Sequence, residues 1–215
     1  MSYTNYLQTL SVEQLDQEFQ TYTDVSPATL VKRRQAAAAV LAELPVGHAM
    51  LEESDLFCLP ARSEINQLTV SVPEDNPETA VIGYVSVWEP LQRLGIGSRL
   101  YRAAAVHLAQ RGVKYIESYA FNNNALRTRQ RVFGEEAMHF SYAEDPTKHK
   151  LGISTGQLIN LNTLIERINK RQLAVGEKAT TILLHSVIDL TAVDTSTWEL
   201  AAEASLPPSY TRASE

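Results

Sequence analysis

A turn with two glycines, lying between a strand and a helix, constrains this sequence more than any other feature. The segment VIGYVSV, residues 81–87, is rich in β-branched and aromatic residues and predicts a strand. The turn QRLGIGS follows at residues 92–98, and the pattern after it predicts a helix over 98–110 that ends at Arg111-Gly112. Glycine lets the backbone turn tightly and lets a ligand approach it closely.

The other predicted elements alternate between helices and strands, which indicates a mixed α/β fold. Ser11 and Gln14 have the spacing of a capping box and predict a helix over 12–20. Ser26-Pro27 begins a further helix that ends near Leu44. Strands are expected over 55–59, 67–72, 114–121, 138–142 and 179–190, and helices over 122–133, 158–171 and 195–206.

Composition excludes several classes of protein. The chain has 215 residues, of which 44% are hydrophobic, and this fits one folded domain over residues 1–205 with a flexible tail over 206–215. No apolar run reaches the ~18–20 residues that span a bilayer, and the first residues lack the pattern of a secretory signal. The lone Cys58 excludes an internal disulfide framework. We therefore predict a cytoplasmic protein without a membrane span.

The distribution of charge singles out the region around the turn. Residues 91–131 contain eight basic residues and one acidic residue, although the whole chain has a net charge of −6. This net acidity argues against nucleic acid as the partner. The basic cluster favours a small anionic ligand, and solvated helix faces are the alternative. The turn itself would direct several amides at a phosphate or diphosphate next to the positive end of a helix, unless it is only a tight structural turn.

Two motifs resemble those of the Gcn5-related N-acetyltransferases, the GNAT superfamily. They are Q-x-x-G-x-G after the strand, from Gln92 to Gly97, and N-x-x-A at the start of the 122–133 helix. The turn is not the dinucleotide-binding motif G-x-G-x-x-G, because Leu100 stands where that motif requires its third glycine. The resemblance implies a mixed central sheet with helices on both faces and a V-shaped splay between two central parallel strands. It also assigns an acyl-CoA-binding core to 81–142, between a helical part, 1–45, and a divergent part, 150–205.

The same resemblance implies which residues bind the cofactor, acetyl-CoA or another acyl-CoA. The strand would present its backbone to the thioester carbonyl and the pantetheine arm, and the loop amides would hold the diphosphate. One of the arginines at 127, 129 and 131 would reach the 3′-phosphate. The implied cofactor-binding residues are Val85, Ser86, Val87, Gln92, Arg93, Leu94, Gly95, Ile96, Gly97, Ser98, Arg99, Asn122 and Asn123. Helix capping is the alternative role for the asparagines.

The catalytic residues follow the family pattern less well. Many relatives carry a tyrosine seven residues after the asparagine, where it protonates the leaving thiolate, but this chain has Arg129 there counted from Asn122 and Gln130 counted from Asn123. Tyr142 is the preferred replacement acid, and Tyr119 and Cys58 are further candidates. Glu117 is the preferred base for deprotonating the amine, and Glu52 and Glu53 are alternatives on the acceptor side. No metal-ligand spacing is present, since His107, His139 and His185 occur singly.

The predicted function is acyl transfer from acyl-CoA to a primary amine by direct attack in a ternary complex. Outside the basic cluster of residues 91–131 the chain is acidic. This acidity favours a cationic acceptor, either a small molecule or a lysine-bearing peptide. The C-terminal third is a candidate for enclosing a longer acyl chain or for forming a homodimer. Because the usual tyrosine is missing, a catalytically inactive CoA-binding sensor or interaction module is the alternative function.

Overall fold

The chain folds into two compact units in a computed structural model that describes residues 2–119, 122–141, 150–174 and 185–211. The first unit comprises Met1–Ser71, Gly83–His107 and Ser196–Glu215, and the second comprises Val72–Ile82 and Leu108–Thr195. The helices are α1 (Tyr3–Leu7), α2 (Val12–Gln20), α3 (Pro27–Glu43), α4 (Ile96–Gln110), α5 (Asn123–Phe133), α6 (Thr155–Ala174) and α7 (Pro208–Thr211). The strands are β1 (Gly47–Met50), β2 (Asp55–Cys58), β3 (Asn66–Ser71), β4 (Thr79–Val87), β5 (Tyr115–Ser118), β6 (Met138–Ser141), β7 (Lys150–Leu151), β8 (His185–Asp189) and β9 (Ala202–Glu203).

Local capping sets the N-termini of α2 and α3, as the sequence predicts. At α2 the Ser11 amide donates to Gln14 Oε1 at 2.9 Å, and the Gln14 amide donates to Ser11 Oγ at 3.3 Å, so that the capping box is complete. At α3 Ser26 is the N-cap and Pro27 occupies the first helical position. Both predictions rest on contacts within four residues, and both are confirmed.

Both units contain mixed strand directions, which confirms the α/β fold. In the first unit the strands follow the order β9-β1-β2-β3-β4; β1–β2 and β2–β3 are antiparallel, and β1–β9 is parallel. In the second unit the order is β4-β5-β8-β6-β7, where β4–β5 is parallel and the other described pairs are antiparallel. No helix among the described residues is both long enough and apolar enough to cross a membrane.

Strand β4 is mostly buried at its start and more exposed towards its end. Its parallel register with β5 covers Thr79–Val81, where most side chains are buried, whereas Gly83, Tyr84 and Ser86 further along are exposed. Gly83 is needed for close packing, because a Cβ there would lie 2.7 Å from Thr69 Oγ1. The exposed half of β4 leads directly into the glycine turn. The register with β5 is described only for Thr79–Val81, and the more exposed residues 83–87 form the open half of β4.

The C-terminal segment differs from its prediction. Residues 195–206 were expected to form a helix, but they contain none and instead supply β9. The amides of Ala202 and Ala204 donate to the carbonyls of Val46 and His48, each at 2.8 Å. Helix propensity is a weak preference, and pairing with β1 overrides it here. The expected flexible tail begins with the short helix α7, where the Ser209 amide donates to Glu64 Oε1 at 2.8 Å.

A buried carboxylate joins α2 to the segment that precedes β3. Asp16 is buried, and it accepts hydrogen bonds from Ser63 Oγ at 2.9 Å and from the Glu64 amide at 2.6 Å. Burial raises the pKa of Asp16 to about 6, against the lowering effect of these two hydrogen bonds. The folded protein therefore binds a proton more tightly at this site than the unfolded chain does, whose pKa is near 3.8.

We predict that Asp16→Asn stabilises the protein at neutral pH. A raised folded-state pKa means that the contribution of Asp16 to stability is complete below pH ~4 and is lost as the pH rises to ~6. The free-energy difference between variant and native protein should therefore grow over this range, by up to about 3 kcal/mol. Urea unfolding from pH 4 to pH 8 measures it, with Asp24→Asn as a control for the change in net charge. A difference that does not vary with pH would contradict the prediction.

Candidate functional site

The glycine turn in the first unit has an unusual backbone. A short 3-10 helix, Glu89–Leu91, follows β4, and α4 begins at Ile96. Between them Arg93 has φ +68° and Gly95 has φ +86°. A left-handed conformation costs a non-glycine residue of order 1 kcal/mol, and such strain is found mostly at functional sites.

The turn leaves four consecutive amides available to a ligand. In the part of the chain that the structure describes, the amides of Gly95, Ile96, Gly97 and Ser98 donate to no protein acceptor. Gly95 is exposed, and a Cβ added to it would meet no atom within 4 Å. Because these amides open the first turn of α4, the positive end of the helix dipole lies with them. The geometry suits an anion such as a phosphate or diphosphate.

Side chains from other elements hold the segment that leads into the turn and the first residue of the turn. At the start, the Trp88 amide donates to Asn66 Oδ1 at 3.1 Å and the Trp88 indole donates to the Phe19 carbonyl at 3.2 Å. Further along, Arg34 of α3 donates to the Gln92 carbonyl at 2.6 Å. The Gln92 side chain in turn donates to the Val87 carbonyl at 3.2 Å, closing the turn on the end of β4. The turn is therefore fixed before any ligand binds.

Arg99 has its side chain directed at the C-terminal end of α3. Its guanidinium donates to the carbonyls of Leu41 and Leu44, at 2.5 and 2.8 Å, and pairs with Glu199 at 2.8 Å. Its amide donates to the Gly95 carbonyl at 3.1 Å. These contacts tie the first turn of the helix α4 to the end of α3. Arg99 therefore stabilises the glycine turn through α4. Its predicted contact with the cofactor stays a prediction.

Sequence reasoning missed three residues that shape this region of the first unit: Arg34, Asn66 and Tyr84. The first two hold the turn, and each lies far from it in the sequence. Asn66 is fully buried, and its Nδ2 has no hydrogen-bond partner among the described residues. Tyr84 lies on the open half of β4, with its hydroxyl in contact with Gln67 and Tyr210. Burial raises the pKa of Tyr84, and the hydrogen bond with Tyr210 adds to the effect.

Glu117, the predicted base, lies in the second unit on β5 and is buried. Tyr119 donates to Glu117 Oε2 at 3.3 Å, and Nδ1 of His185 is 3.8 Å from the same oxygen. The rings of Tyr119 and His185 meet edge to face, with centroids 4.1 Å apart. Burial, followed by the nearby Glu117 carboxylate, raises the pKa of Tyr119. A buried carboxylate beside a histidine is a group able to accept a proton.

The two asparagines have structural partners. Asn122 caps α5, accepting from the Ala125 amide at 2.8 Å. Asn123 donates to Thr163 Oγ1 at 3.1 Å and accepts from Asn162 at 3.2 Å, which ties α5 to α6. The alternative role of helix capping is therefore present for Asn122. The binding of the cofactor by Asn122 and Asn123 stays a prediction.

The remaining candidates divide by burial. Arg127 and Arg131 are exposed, whereas Arg129 is buried and donates to Ser118 Oγ at 2.8 Å. Cys58 is buried on β2, and burial followed by the charge of Asp16 raises the pKa of its thiol to about 12, which makes it a poor acid. Tyr142 lies outside the described residues.

The fold and the turn define an α/β protein with a glycine turn between a strand and a helix, and the unpaired amides of this turn suit an anion. A family model described as "Acetyltransferase (GNAT) family" matches residues 8–134, more than half of the chain. The chain therefore belongs to the GNAT family of acetyltransferases. No curated protein matches the sequence significantly.

Several solved structures resemble the chain distantly. Gcn5 of Tetrahymena is 11% identical, with a TM-score of 0.40 over 67% of this chain and 73% of its own. A Bacillus subtilis acetyltransferase in complex with CoA is 16% identical, with a TM-score of 0.38 over 65% and 78%. An IAA acetyltransferase from Bacillus cereus is 15% identical, with a TM-score of 0.38 over 77% and 93%. The family membership rests on the family model and not on these likenesses.

The buried pair of Arg129 and Ser118 predicts a difference between two neighbouring serines. Ser118 of β5 pairs in register with Ser186 of β8, and both are buried. Ser118 accepts from Arg129, whereas Ser186 Oγ has no partner among the described residues. Ser118→Ala should lower the free energy of unfolding by about 1–3 kcal/mol, because it leaves a buried charged donor without this acceptor. Ser186→Ala should be neutral or stabilising. Urea unfolding measures both, and equal losses would contradict the assignment.

Proposed function

We propose that the protein is an N-acyltransferase that moves an acetyl or related acyl group from acyl-CoA to a primary amine. The observation that carries the proposal is the set of four unpaired amides from Gly95 to Ser98 at the positive end of α4. The family membership supplies the reaction class. The amides of the turn bind the diphosphate of the cofactor, and the exposed Arg93 adds positive charge beside it.

The open half of β4 takes the reactive arm of the cofactor. Val85 and Val87 are half-buried and Ser86 is exposed, so this stretch offers both apolar surface and backbone groups to a ligand. A backbone N–H near the thioester carbonyl stabilises the negative charge that develops on that oxygen during attack. The amine then displaces CoA directly, because both reactants are held in one complex and no covalent intermediate on the protein is required.

Glu117 is our candidate for the base. An amine is protonated at neutral pH, and it attacks a thioester only after it has lost that proton. Glu117 is buried on β5, and its neighbours Tyr119 and His185 can pass a proton onward. Tyr142 is the candidate acid for the leaving thiolate. The acceptor is a cationic amine, either a small molecule or a lysine-bearing peptide. The part of the chain outside residues 91–131 is acidic and attracts it.

The rival function is a CoA-binding sensor without activity. Counted from either Asn122 or Asn123, no tyrosine stands where many family members carry the one that protonates the thiolate, and its absence favours the rival. Both functions require CoA to bind at the turn. Release of free thiol from acetyl-CoA in the presence of a panel of amines separates them. If CoA binds but no tested pair of amine and acyl-CoA gives free thiol, the sensor is favoured.

Gly95→Ala tests the binding step, with Gly112→Ala as its matched control. Both glycines have a positive φ, +86° and +81°, and an added Cβ meets no atom within 4 Å at either. Both substitutions should therefore lower stability similarly, by about 1–2 kcal/mol. Only Gly95→Ala should weaken CoA binding, by about tenfold or more, because it disturbs the amides of the turn. Calorimetric titration with CoA measures the affinities. Equal affinities for the two variants would contradict the proposal.

Arg34→Met tests whether the fixed shape of the turn matters. Removing the hydrogen bond to the Gln92 carbonyl should weaken CoA binding about fivefold, the equivalent of about 1 kcal/mol. Lys32→Met removes the same charge from an exposed position on the same helix and is the control. If both variants bind CoA equally, the loss reflects only the change in net charge, and Arg34 does not position the turn.

A further inference from the structure

Three potential metal ligands meet within the first unit, on elements that are distant in the sequence. His48 lies on β1, Asp55 on β2 and His107 near the C-terminal end of α4. One ligand atom from each residue lies within 4.8 Å of the others, and no other described group of three histidine, cysteine or acidic residues does so. The turn described above and the acyl-transfer proposal use none of the three residues.

The β1–β2 hairpin brings the first two ligands to one face. His48 of β1 pairs in register with Phe57 of β2, and Asp55 lies two residues before Phe57 on β2, so the side chains of His48 and Asp55 point to the same side of the hairpin. The ring of Phe57 lies against both histidines, at centroid distances of 5.0 Å to His48 and 5.7 Å to His107. Asp55 is itself buried. A carboxylate in such a place requires positive charge nearby.

The distances suit a tetrahedral ion. Nε2 of His48 lies 2.8 Å from Asp55 Oδ1, and Nε2 of His107 lies 3.4 Å from the same oxygen. An ion with bonds of ~2.0–2.1 Å holds tetrahedral ligand atoms ~3.3 Å apart. The His107–Asp55 pair already has this separation, and the His48–Asp55 pair needs to open by about half an ångström. The two imidazole rings lie beside each other, with centroids 4.2 Å apart.

We propose that His48, Asp55 and His107 bind one divalent transition-metal ion of the zinc type. Two imidazole nitrogens and one carboxylate oxygen are a zinc ligand set, and they disfavour Ca²⁺ and Mg²⁺, which take oxygen ligands. A water molecule completes the fourth position, since His48 and His107 are partly accessible. Without the ion His48 Nε2 is hydrogen-bonded to Asp55 Oδ1 and His107 Nε2 lies 3.4 Å from the same oxygen, so that the three ligands are already close together.

The role of the ion would be to stabilise the folded state. The ion links the β1–β2 hairpin to α4, the helix whose first turn carries the four available amides. Since the unfolded chain does not assemble the three ligands, binding to the folded state stabilises it. The site lies three turns of α4 away from the glycine turn, so its occupancy and CoA binding are separately measurable.

Metal binding to the untagged protein, freed of metal with EDTA, tests the proposal. Calorimetric titration with ZnCl₂ at pH 7.5 should give one ion per chain, and Co²⁺ should give the visible absorption of a four-coordinate site. At a zinc concentration about 100 times the dissociation constant, Tm should rise by ~5–10 °C. A native protein that binds no zinc or cobalt would overturn the proposal without the use of any variant.

Two substitutions locate the ion. His107→Gln retains a good helix former on α4, and Asp55→Asn retains the shape of the side chain. Each should weaken zinc binding at least tenfold and abolish the cobalt absorption, with circular dichroism verifying the fold. His139→Gln, on β6 of the second unit, is the control and should leave both signals unchanged. Zinc binding that persists unweakened in His107→Gln and Asp55→Asn would place the ion elsewhere and overturn the assignment, whatever the result for His139→Gln.

Discussion

The account depends on one arrangement of backbone dipoles, the four amides of the turn that have no protein acceptor. Such groups are costly to leave unpaired, and here they open the first turn of α4, where the helix dipole favours negative charge. The surrounding contacts explain why the turn persists. Asn66 holds the segment before the turn, Arg34 holds its first residue, and Arg99 ties the start of α4 to the end of α3. The hydrogen bonds on either side of Arg93 hold the backbone in which this residue keeps its positive φ.

Buried polar groups recur at the places where elements from different parts of the sequence are joined. Asp16 connects α2 to the segment before β3, and Arg129 connects α5 to β5. Asp55 lies between two histidines from β1 and α4. Each charge is expensive to bury and is retained only with partners of defined geometry, so that these links favour one packing of the elements over alternatives.

Sequence reasoning succeeded where a feature depends on nearby residues and failed where it depends on distant ones. The capping box at Ser11 and the proline start of α3 were predictable, because four residues suffice to form them. Strand β9 was missed, since only its pairing with β1 makes it a strand. The glycine turn was predictable from its motif, but Arg34 and Asn66 reach it from elsewhere in the chain, and no spacing signals their role. The burial of Arg129 was equally invisible, because alternate arginines on a helix look alike in sequence.

Selective ¹⁵N-glycine labelling with CoA titration tests the central claim most directly. The chain has nine glycines, so the spectrum resolves the turn from internal references such as Gly134, which closes α5. We predict that the amide resonances of Gly95 and Gly97 shift strongly as CoA binds, as expected for two N–H groups that gain a diphosphate acceptor, while that of Gly134 stays in place. Saturation with CoA that leaves Gly95 and Gly97 unmoved would show that the cofactor does not use these amides, and the account would be wrong.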